Sequence, residues 1–176
     1  MALAAKAAPQ AGASAVVDEL VRRARRAVEA FADADQARTD EAVVALAWAL
    51  YKPEHARELA ELAVADTGLG NVPDKVTKKQ RKTFGTLRDL LRVKSVGVIE
   101  EDPTRGIVKY VKPVGLVAAV TPSTNPGATP ANQIINAIKC GNAIILAPSP
   151  KGHSTCELLL SFIHEEFRKI KANPDL

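Results

Sequence analysis

Cysteine is scarce in this sequence of 176 residues, which contains only Cys140 and Cys156. Two cysteines are too few for the disulfide framework of a small secreted domain, so we expect both thiols to be reduced and the chain to be cytoplasmic. The three histidines, His55, His153 and His164, are scattered and lack the spacing to cysteines or acidic residues that metal sites require. The sequence therefore predicts no metal site.

Long apolar runs are also missing. No stretch reaches the roughly 18 unbroken apolar residues that a membrane-spanning helix needs, so we predict no membrane association. The Ala-rich first 14 residues carry Lys6 and precede a charged stretch, so they lack the apolar core of a secretory signal peptide. We expect residues 1–14 to form a disordered start.

Aromatic residues make up only 4% of the chain, and neither sign of charge dominates. Trp48, Tyr51 and Phe31 are more typical of a core or a subunit contact than of a platform on which bases stack. The 24 Lys and Arg residues against 20 Asp and Glu residues indicate a mixed surface, so we predict no nucleic-acid partner. The hydrophobic fraction of 47% is enough for a core, in one domain or in part of a larger one.

Helical periodicity dominates residues 15–92. Apolar residues recur at steps of three and four from Ala15 to about Phe31, which predicts an amphipathic helix. A second helix is expected near Thr39, whose hydroxyl would cap it, and Pro53 would begin a third. The fourth, from about Pro73 to Arg92, is the most basic stretch of the chain, and we interpret its charges as a solvated face.

Strand patterns follow in residues 93–112, where two β-branched segments flank the turn-forming letters DPTR and predict a two-stranded antiparallel β-ribbon. Residues 113–176 then read as strand, helix and strand: VGLVAAVTP, TPANQIINAIKC and GNAIILAP. The first of these runs is apolar on both faces, as a strand inside a parallel sheet should be. A last helix is expected from about Lys151 to Lys169. The predicted fold is α/β: N-terminal helices, a β-ribbon, then the first βαβ of a doubly wound parallel sheet.

The loop of residues 121–130 lies between a predicted buried strand and the next helix, where ligands bind in open α/β sheets. Hydroxyls, an amide and backbone donors near a helix N-terminus suit a pyrophosphate or a developing oxyanion. Ser123, Thr124 and Asn125 could equally be turn and cap residues, and the residues alone leave both interpretations open.

A second loop, residues 147–152, would lie beside the first if the two strands are neighbours, and the pair would then form a cleft. The simpler alternative is that Ser149 caps the final helix. Neither cysteine is predicted to be a nucleophile. Cys140 follows the C-terminal end of a helix, whose dipole disfavours a thiolate, and Cys156 lies on a helix face expected to pack against the sheet.

The run PVGLVAAVTPSTNPGATPANQIINAIKCGNAIILAPSP, residues 113–150, resembles the aldehyde dehydrogenase superfamily. Its TPSTNP form resembles the coenzyme-A-acylating branch, and AVADTGLGNVPDKVTKKQRKTFG, residues 63–85, is similar to the helical lead-in of that branch. The resemblance implies a Rossmann-like domain that binds NAD or NADP, here incomplete, in the N-terminal part of a longer enzyme.

The resemblance also implies a reaction. A cysteine thiolate attacks a small aldehyde, hydride passes to NAD(P)+, and coenzyme A as cosubstrate accepts the acyl group from the thioester. In this family the nucleophile and the catalytic domain would lie beyond Leu176, so we expect the chain alone to be inactive and the full-length form to be a homo-oligomer. A rival hypothesis is a non-catalytic nucleotide-binding or interaction module.

By its place in TPSTNP, Asn125 matches the family's asparagine whose amide stabilises the tetrahedral oxyanion. The resemblance places a further set of residues around the cofactor. Thr121, Pro122, Ser123 and Thr124 would line its nicotinamide side, and Ala147, Pro148 and Ser149 would lie by the adenosine ribose. Hydrolytic members usually have a lysine at the position of Ala147, so this chain lacks one expected contact to the ribose.

Overall fold

The computed structural model describes residues 10–176, in which four helices precede the first strand, as predicted. The elements are α1 (Gln10–Phe31), α2 (Gln36–Tyr51), α3 (Pro53–Thr67), α4 (Val72–Leu90), β1 (Gly97–Asp102), β2 (Ile107–Val111), β3 (Leu116–Thr121), α5 (Ala128–Lys139), β4 (Ala143–Pro148) and α6 (His153–Lys169), with a 3₁₀ turn (Pro150–Gly152) before α6. No helix among the described residues is long and apolar enough to cross a membrane.

The strands form two separate pairs. Strands β1 and β2 are antiparallel, with a bulge between Val98 and Glu100. Strands β3 and β4 are parallel, with Leu116 opposite Ala143, and helix α5 connects them. The predicted α/β fold is confirmed: N-terminal helices, a β-ribbon and the first βαβ unit of a parallel sheet.

The first helix is longer than expected. It begins at Gln10, so residues 10–14, which the composition placed in a disordered start, are helical. Alanine has the highest intrinsic helix propensity, and the alanines of this segment extend the helix N-terminally from the amphipathic stretch. Residues 1–9 of the predicted disordered start lie outside the described residues.

The cap predicted for α2 was wrong. Helix α2 begins at Gln36, and the carboxylate of Asp35 accepts a hydrogen bond of 2.8 Å from the backbone N–H of Arg38. The Thr39 hydroxyl instead donates to the carbonyl oxygen of Asp35, one turn back, and the Thr39 side chain is buried. Asp35 is itself a favoured N-cap residue, and its extended backbone leaves it just outside the helix.

The hydrophobic core lies where α2 packs against α5 and α6. It consists mainly of the apolar faces of these three helices, whose fully buried side chains include Leu46, Leu50, Ile135, Ile138, Leu159 and Phe167. Helix α1 contacts β3 and β4, while α3 and α4 pack against each other and extend the helical layer towards the start of α5.

A buried polar network joins the helices to the ribbon. Lys139, in the last turn of α5, is 1% exposed and forms an ion pair with Asp40 of α2. Gln36 donates to the same carboxylate at 2.9 Å and accepts from the backbone N–H of Ser95 at 2.8 Å. The Ser95 hydroxyl donates to the carbonyl oxygen of Lys139. The network therefore fixes the segment that leads into β1 against the end of α5.

Strand β3 is not buried on both faces, contrary to the sequence prediction. Ala118 is exposed and Val120 is 81% exposed, whereas Ala119 and Thr121 on the opposite face are buried. Helix α1 contacts both strands but leaves the carboxyl end of this face uncovered among the described residues. Several apolar side chains of the β1–β2 ribbon, including that of Val108, are likewise exposed.

Removing the charge of Asp40 should destabilise the fold. In the variant Asp40→Asn, the Lys139 ammonium stays buried without a counter-charge, so we expect the free energy of unfolding to fall by about 3 kcal/mol. The control Glu61→Gln breaks the exposed Arg57–Glu61 pair and should cost less than about 1 kcal/mol. Urea unfolding of each variant measures both changes, and equal losses would contradict a structural role for the buried pair.

Candidate functional site

The carboxyl ends of β3 and β4 lie side by side. Thr121 is opposite Pro148, and the backbone N–H of Ser149 donates to the carbonyl oxygen of Thr121 at 3.1 Å. Residues 122–127, between β3 and α5, and residues 149–152, before α6, therefore leave the sheet next to each other. We call the space between these two loops the cleft.

The two loops pack tightly at one point. A Cβ added to Gly152 would lie 2.5 Å from the Cβ of Pro126 and 3.4 Å from the hydroxyl oxygen of Ser149. Only glycine fits at residue 152 without a shift of the opposing loop. The contact holds the loop before α6 against the start of α5.

Two hydroxyl oxygens at this point lack partners. The side-chain oxygens of Thr121 and Ser149 are buried and make no hydrogen bond with any described residue. Ser149 precedes the 3₁₀ turn but makes no capping hydrogen bond, so its interpretation as the cap of the final helix is wrong. A buried hydroxyl without a partner is costly, so these two oxygens indicate a place for a polar ligand or a bound water.

The N-terminus of α5 opens into the same region. Its N-cap residue is Gly127, and no side chain accepts a hydrogen bond from the first turn. Asn125 contributes only its backbone carbonyl, which accepts from the N–H of Thr129 at 3.2 Å. The side chains of Ser123, Thr124 and Asn125 are therefore not caps of α5. Residue 130 is proline, so the N–H groups of Gly127 and Ala128 are the ones left without an acceptor, and they leave a favourable place for an anion.

The other residues predicted to bind the cofactor follow the two strands. Pro122 and Thr124 are exposed, and Ser123 is half-buried. Ala147 is exposed opposite Val120, and Pro148 is half-buried. The structure thus brings Thr121 and Pro148 together with Ser149, while Ala147 lies on the uncovered face of the sheet.

The sequence did not predict that lysines of α4 would lie at this site. The Nζ atom of Lys78 donates a 2.8 Å hydrogen bond to the side-chain oxygen of Asn125. Lys79, beside it, is only 3% exposed, and its side chain lies against Gly127. The two lysines line a small crevice with Lys75, Asn125 and Gly127. The interpretation of this helix as a solvated face was therefore wrong for Lys79.

Burial and the neighbouring charges of Lys75 and Lys78 lower the pKa of Lys79 to about 8. Burial and Lys78 also lower the pKa of Lys75. The spacing of these three lysines, i, i+3 and i+4, could have indicated one shared helix face.

Neither cysteine is placed as a nucleophile. Cys156 is buried in α6, and burial together with the charge of Glu157 raises the pKa of its thiol to about 11. Cys140 is exposed at the C-terminal end of α5, the end remote from Asn125. Among residues 10–176 there is also no group of three or more side chains arranged to hold a metal ion.

The sequence matches the model of the aldehyde dehydrogenase family over residues 4–168. It is 60% identical over 168 residues to the sulfoacetaldehyde dehydrogenase (acylating) of Cupriavidus necator. The alignment covers 96% of this chain and 34% of that protein. The sulfoacetaldehyde dehydrogenase (acylating) of Bilophila wadsworthia is 39% identical, covering 91% of this chain and 34% of that protein.

Solved structures of aldehyde dehydrogenases share the fold of this chain. An acetylating aldehyde dehydrogenase from Geobacillus thermoglucosidasius superposes with a TM-score of 0.85 at 31% identity, covering 91% of this chain and 35% of that chain. A probable aldehyde dehydrogenase from Listeria monocytogenes superposes with a TM-score of 0.86 at 28% identity. The chain spans about a third of the length of these relatives.

The lowered pKa of Lys79 predicts how stability depends on pH. At pH 7 the ammonium is charged in both states and penalises the folded state, so Lys79→Met should raise the free energy of unfolding by on the order of 3 kcal/mol. Between about pH 8 and the unfolded value of 10.5, the folded chain loses this proton first, so the difference between variant and wild type should shrink.

Chemical unfolding at several pH values measures this difference. Lys82→Met replaces an exposed lysine on the same helix, serves as the control, and should change the free energy of unfolding by less than about 0.5 kcal/mol. A Lys79→Met variant that is less stable than wild type at pH 7 would contradict the buried, unpaired ammonium.

Proposed function

Since the chain belongs to the aldehyde dehydrogenase family, we propose that it supplies the cofactor-binding part of an enzyme that oxidises an aldehyde to its acyl-CoA with NAD(P)+. The two relatives from Cupriavidus necator and Bilophila wadsworthia are both named sulfoacetaldehyde dehydrogenase (acylating). We therefore propose sulfoacetaldehyde as the substrate and coenzyme A as the acyl acceptor.

The observation that carries the proposal is the pair of unpartnered hydroxyl oxygens, Thr121 and Ser149, beside the uncapped N-terminus of α5. Buried hydroxyl oxygens at the adjacent carboxyl ends of two parallel strands fit a dinucleotide, whose sugar hydroxyls need acceptors. When bound, its nicotinamide accepts the hydride from the substrate.

The proposed contacts divide between the two loops. Residues 121–124 would lie by the nicotinamide half of the cofactor, and residues 147–149 by the adenosine ribose. Ala147 has no polar side chain to offer the ribose, so this half of the site depends on Ser149 and on backbone groups.

The orientation of the Asn125 side-chain amide supports a role as an oxyanion donor. Lys78 donates to the amide oxygen, which leaves the two N–H groups of the amide as donors. A carbonyl carbon attacked by a thiolate develops negative charge on its oxygen, and an amide N–H held in advance stabilises that charge. We propose that Asn125 is this donor.

The thiolate itself is proposed to come from residues outside this chain. A buried thiol with a raised pKa, like that of Cys156, resists ionisation, and Cys140 lies at the wrong end of α5. The rival hypothesis, a non-catalytic module, gains no separate support from the described residues, because Lys79 of the basic helix turns inward instead of towards a polyanion.

We further propose that the complete enzyme is a cytoplasmic homo-oligomer. The exposed apolar side chains of the β1–β2 ribbon support a subunit contact, since an open ribbon edge readily pairs with another chain.

Replacing Asn125 tests the proposed chemistry. In the complete enzyme that contains this segment, Asn125→Ala should lower kcat by about 10²–10³-fold, the usual cost of losing one oxyanion donor. The matched control Asn136→Ala removes an exposed asparagine of α5 whose amide bonds only within its own helix, and it should keep the wild-type kcat.

Steady-state kinetics with sulfoacetaldehyde, NAD+ and coenzyme A measure both variants. A wild-type kcat for Asn125→Ala would show that Asn125 does not stabilise the oxyanion. An equal loss in both variants would indicate a general structural effect on the segment from β3 to α5, and not the loss of an oxyanion donor.

A further inference from the structure

We propose that Lys78 and Lys79 of α4, together with the uncapped N-terminus of α5, bind the anionic group of the aldehyde substrate, a tetrahedral oxoanion such as a sulfonate. The inference rests on the proposed function, because it places the anion beside the proposed oxyanion donor Asn125. It adds substrate recognition by α4, a helix to which no contact with the cofactor is assigned.

The unusual feature is a buried lysine with no acidic partner. Lys139 is buried too, but it pairs with Asp40, and the largely buried Lys52 pairs with Glu166. Lys79 is 3% exposed, and no carboxylate in residues 10–176 forms an ion pair or a hydrogen bond with it. The charges that act on it are those of two other lysines, which repel it. A buried ammonium is costly without a counter-charge, so an anion is the missing partner.

The position of Lys79 shows where that anion would lie. A Cβ placed on Gly127 would be 3.1 Å from Cε of Lys79 and 3.7 Å from its Nζ atom. The ammonium is therefore held over the N-cap of α5, where the helix dipole already contributes positive potential. A cation at this end of a helix is unfavourable, whereas an anion between the ammonium and the N–H groups would satisfy both.

Gly127 makes this approach possible. It is buried, and the lysine stem occupies the space that a larger N-cap side chain would need. A serine or aspartate here would cap α5 and neutralise its terminus, which would remove the need for an external anion. The glycine therefore leaves the helix terminus open to a ligand.

The chemistry of the donors selects the ligand. Lys78 and Lys79 present ammonium groups, and α5 adds backbone N–H groups, so every contact is a donor and the ligand must be an acceptor with several oxygens. Lys78 also bonds to Asn125, so an anion at this site lies next to the proposed position of the reacting carbonyl. A short aldehyde that carries its own anionic group fits this arrangement.

An NMR-detected titration of the chain with ethanesulfonate tests the inference, because this probe has the sulfonate but no aldehyde. We expect saturable shifts of the backbone N–H signals of residues 127–129. The affinity should fall about 10- to 100-fold in Lys79→Met, the usual effect of losing one hydrogen bond to a charged group. Lys82→Met, on the same helix but exposed, should bind like wild type.

Separate titrations with inorganic phosphate and with coenzyme A identify the source of the anion. Ethanesulfonate binding at least as tightly as either supports a site for the substrate's own anionic group. Binding of coenzyme A but not of ethanesulfonate would overturn that assignment. An equal loss of affinity in Lys79→Met and Lys82→Met would overturn it as well, because the attraction would then be non-specific.

Two results distinguish failure of the anion site from unfolding of the variant and from failure of the proposed function. Lys79→Met is expected to be more stable than wild type at pH 7, so loss of binding in that variant does not come from unfolding. Failure of ethanesulfonate to bind, with Asn125→Ala still lowering kcat, would overturn the anion site and leave the proposed function intact.

Discussion

The parallel pairing of β3 and β4 is the constraint on which the rest of the site depends. Parallel neighbours need a crossover connection, and α5 supplies it. The helix must start where β3 ends and finish where β4 begins, so its N-terminus always faces the carboxyl ends of both strands. Thr121, Ser149 and the free N–H groups of α5 meet for this reason, although they are far apart along the chain.

The helical layer adds what the strands cannot provide. The sheet edge offers hydroxyls and backbone groups, but its two loops carry one basic side chain, the exposed Lys151. Helix α4 brings positive charge to the same place, with Lys78 on the amide of Asn125 and Lys79 against Gly127. Cofactor binding and substrate recognition would then come from different layers of the fold, which meet only at the start of α5.

Local patterns were enough to predict the order of the elements. Alternation and helical periodicity depend on neighbouring residues, and the strand, helix and strand of residues 116–148 follow from them. The cap of α2 was missed because Asp35 and Thr39 are both good cap residues, and the choice between them depends on where the chain turns. Local pattern does not distinguish Asn125 and Ser149 from turn and cap residues, and a family resemblance is what marks them as site residues.

Burial was harder to predict, because it depends on what packs against each face. Val120 has the sequence pattern of a strand covered on both faces, yet α1 does not reach it. Lys79 has the sequence pattern of a solvated face, yet the start of α5 lies over it. In both cases the burial of the side chain depends on an element that is distant in sequence, so local periodicity does not predict it.

The central claim is that the ends of β3 and β4, with the loops that follow them, form one dinucleotide site. An NMR-detected titration of the chain with NAD+ tests it most directly. The account predicts that the largest shifts of backbone N–H signals fall in the non-proline residues of 121–129 and 149–152. Saturable binding with shifts confined to the β1–β2 ribbon or to the exposed face of α4, leaving those two loops unchanged, would contradict it.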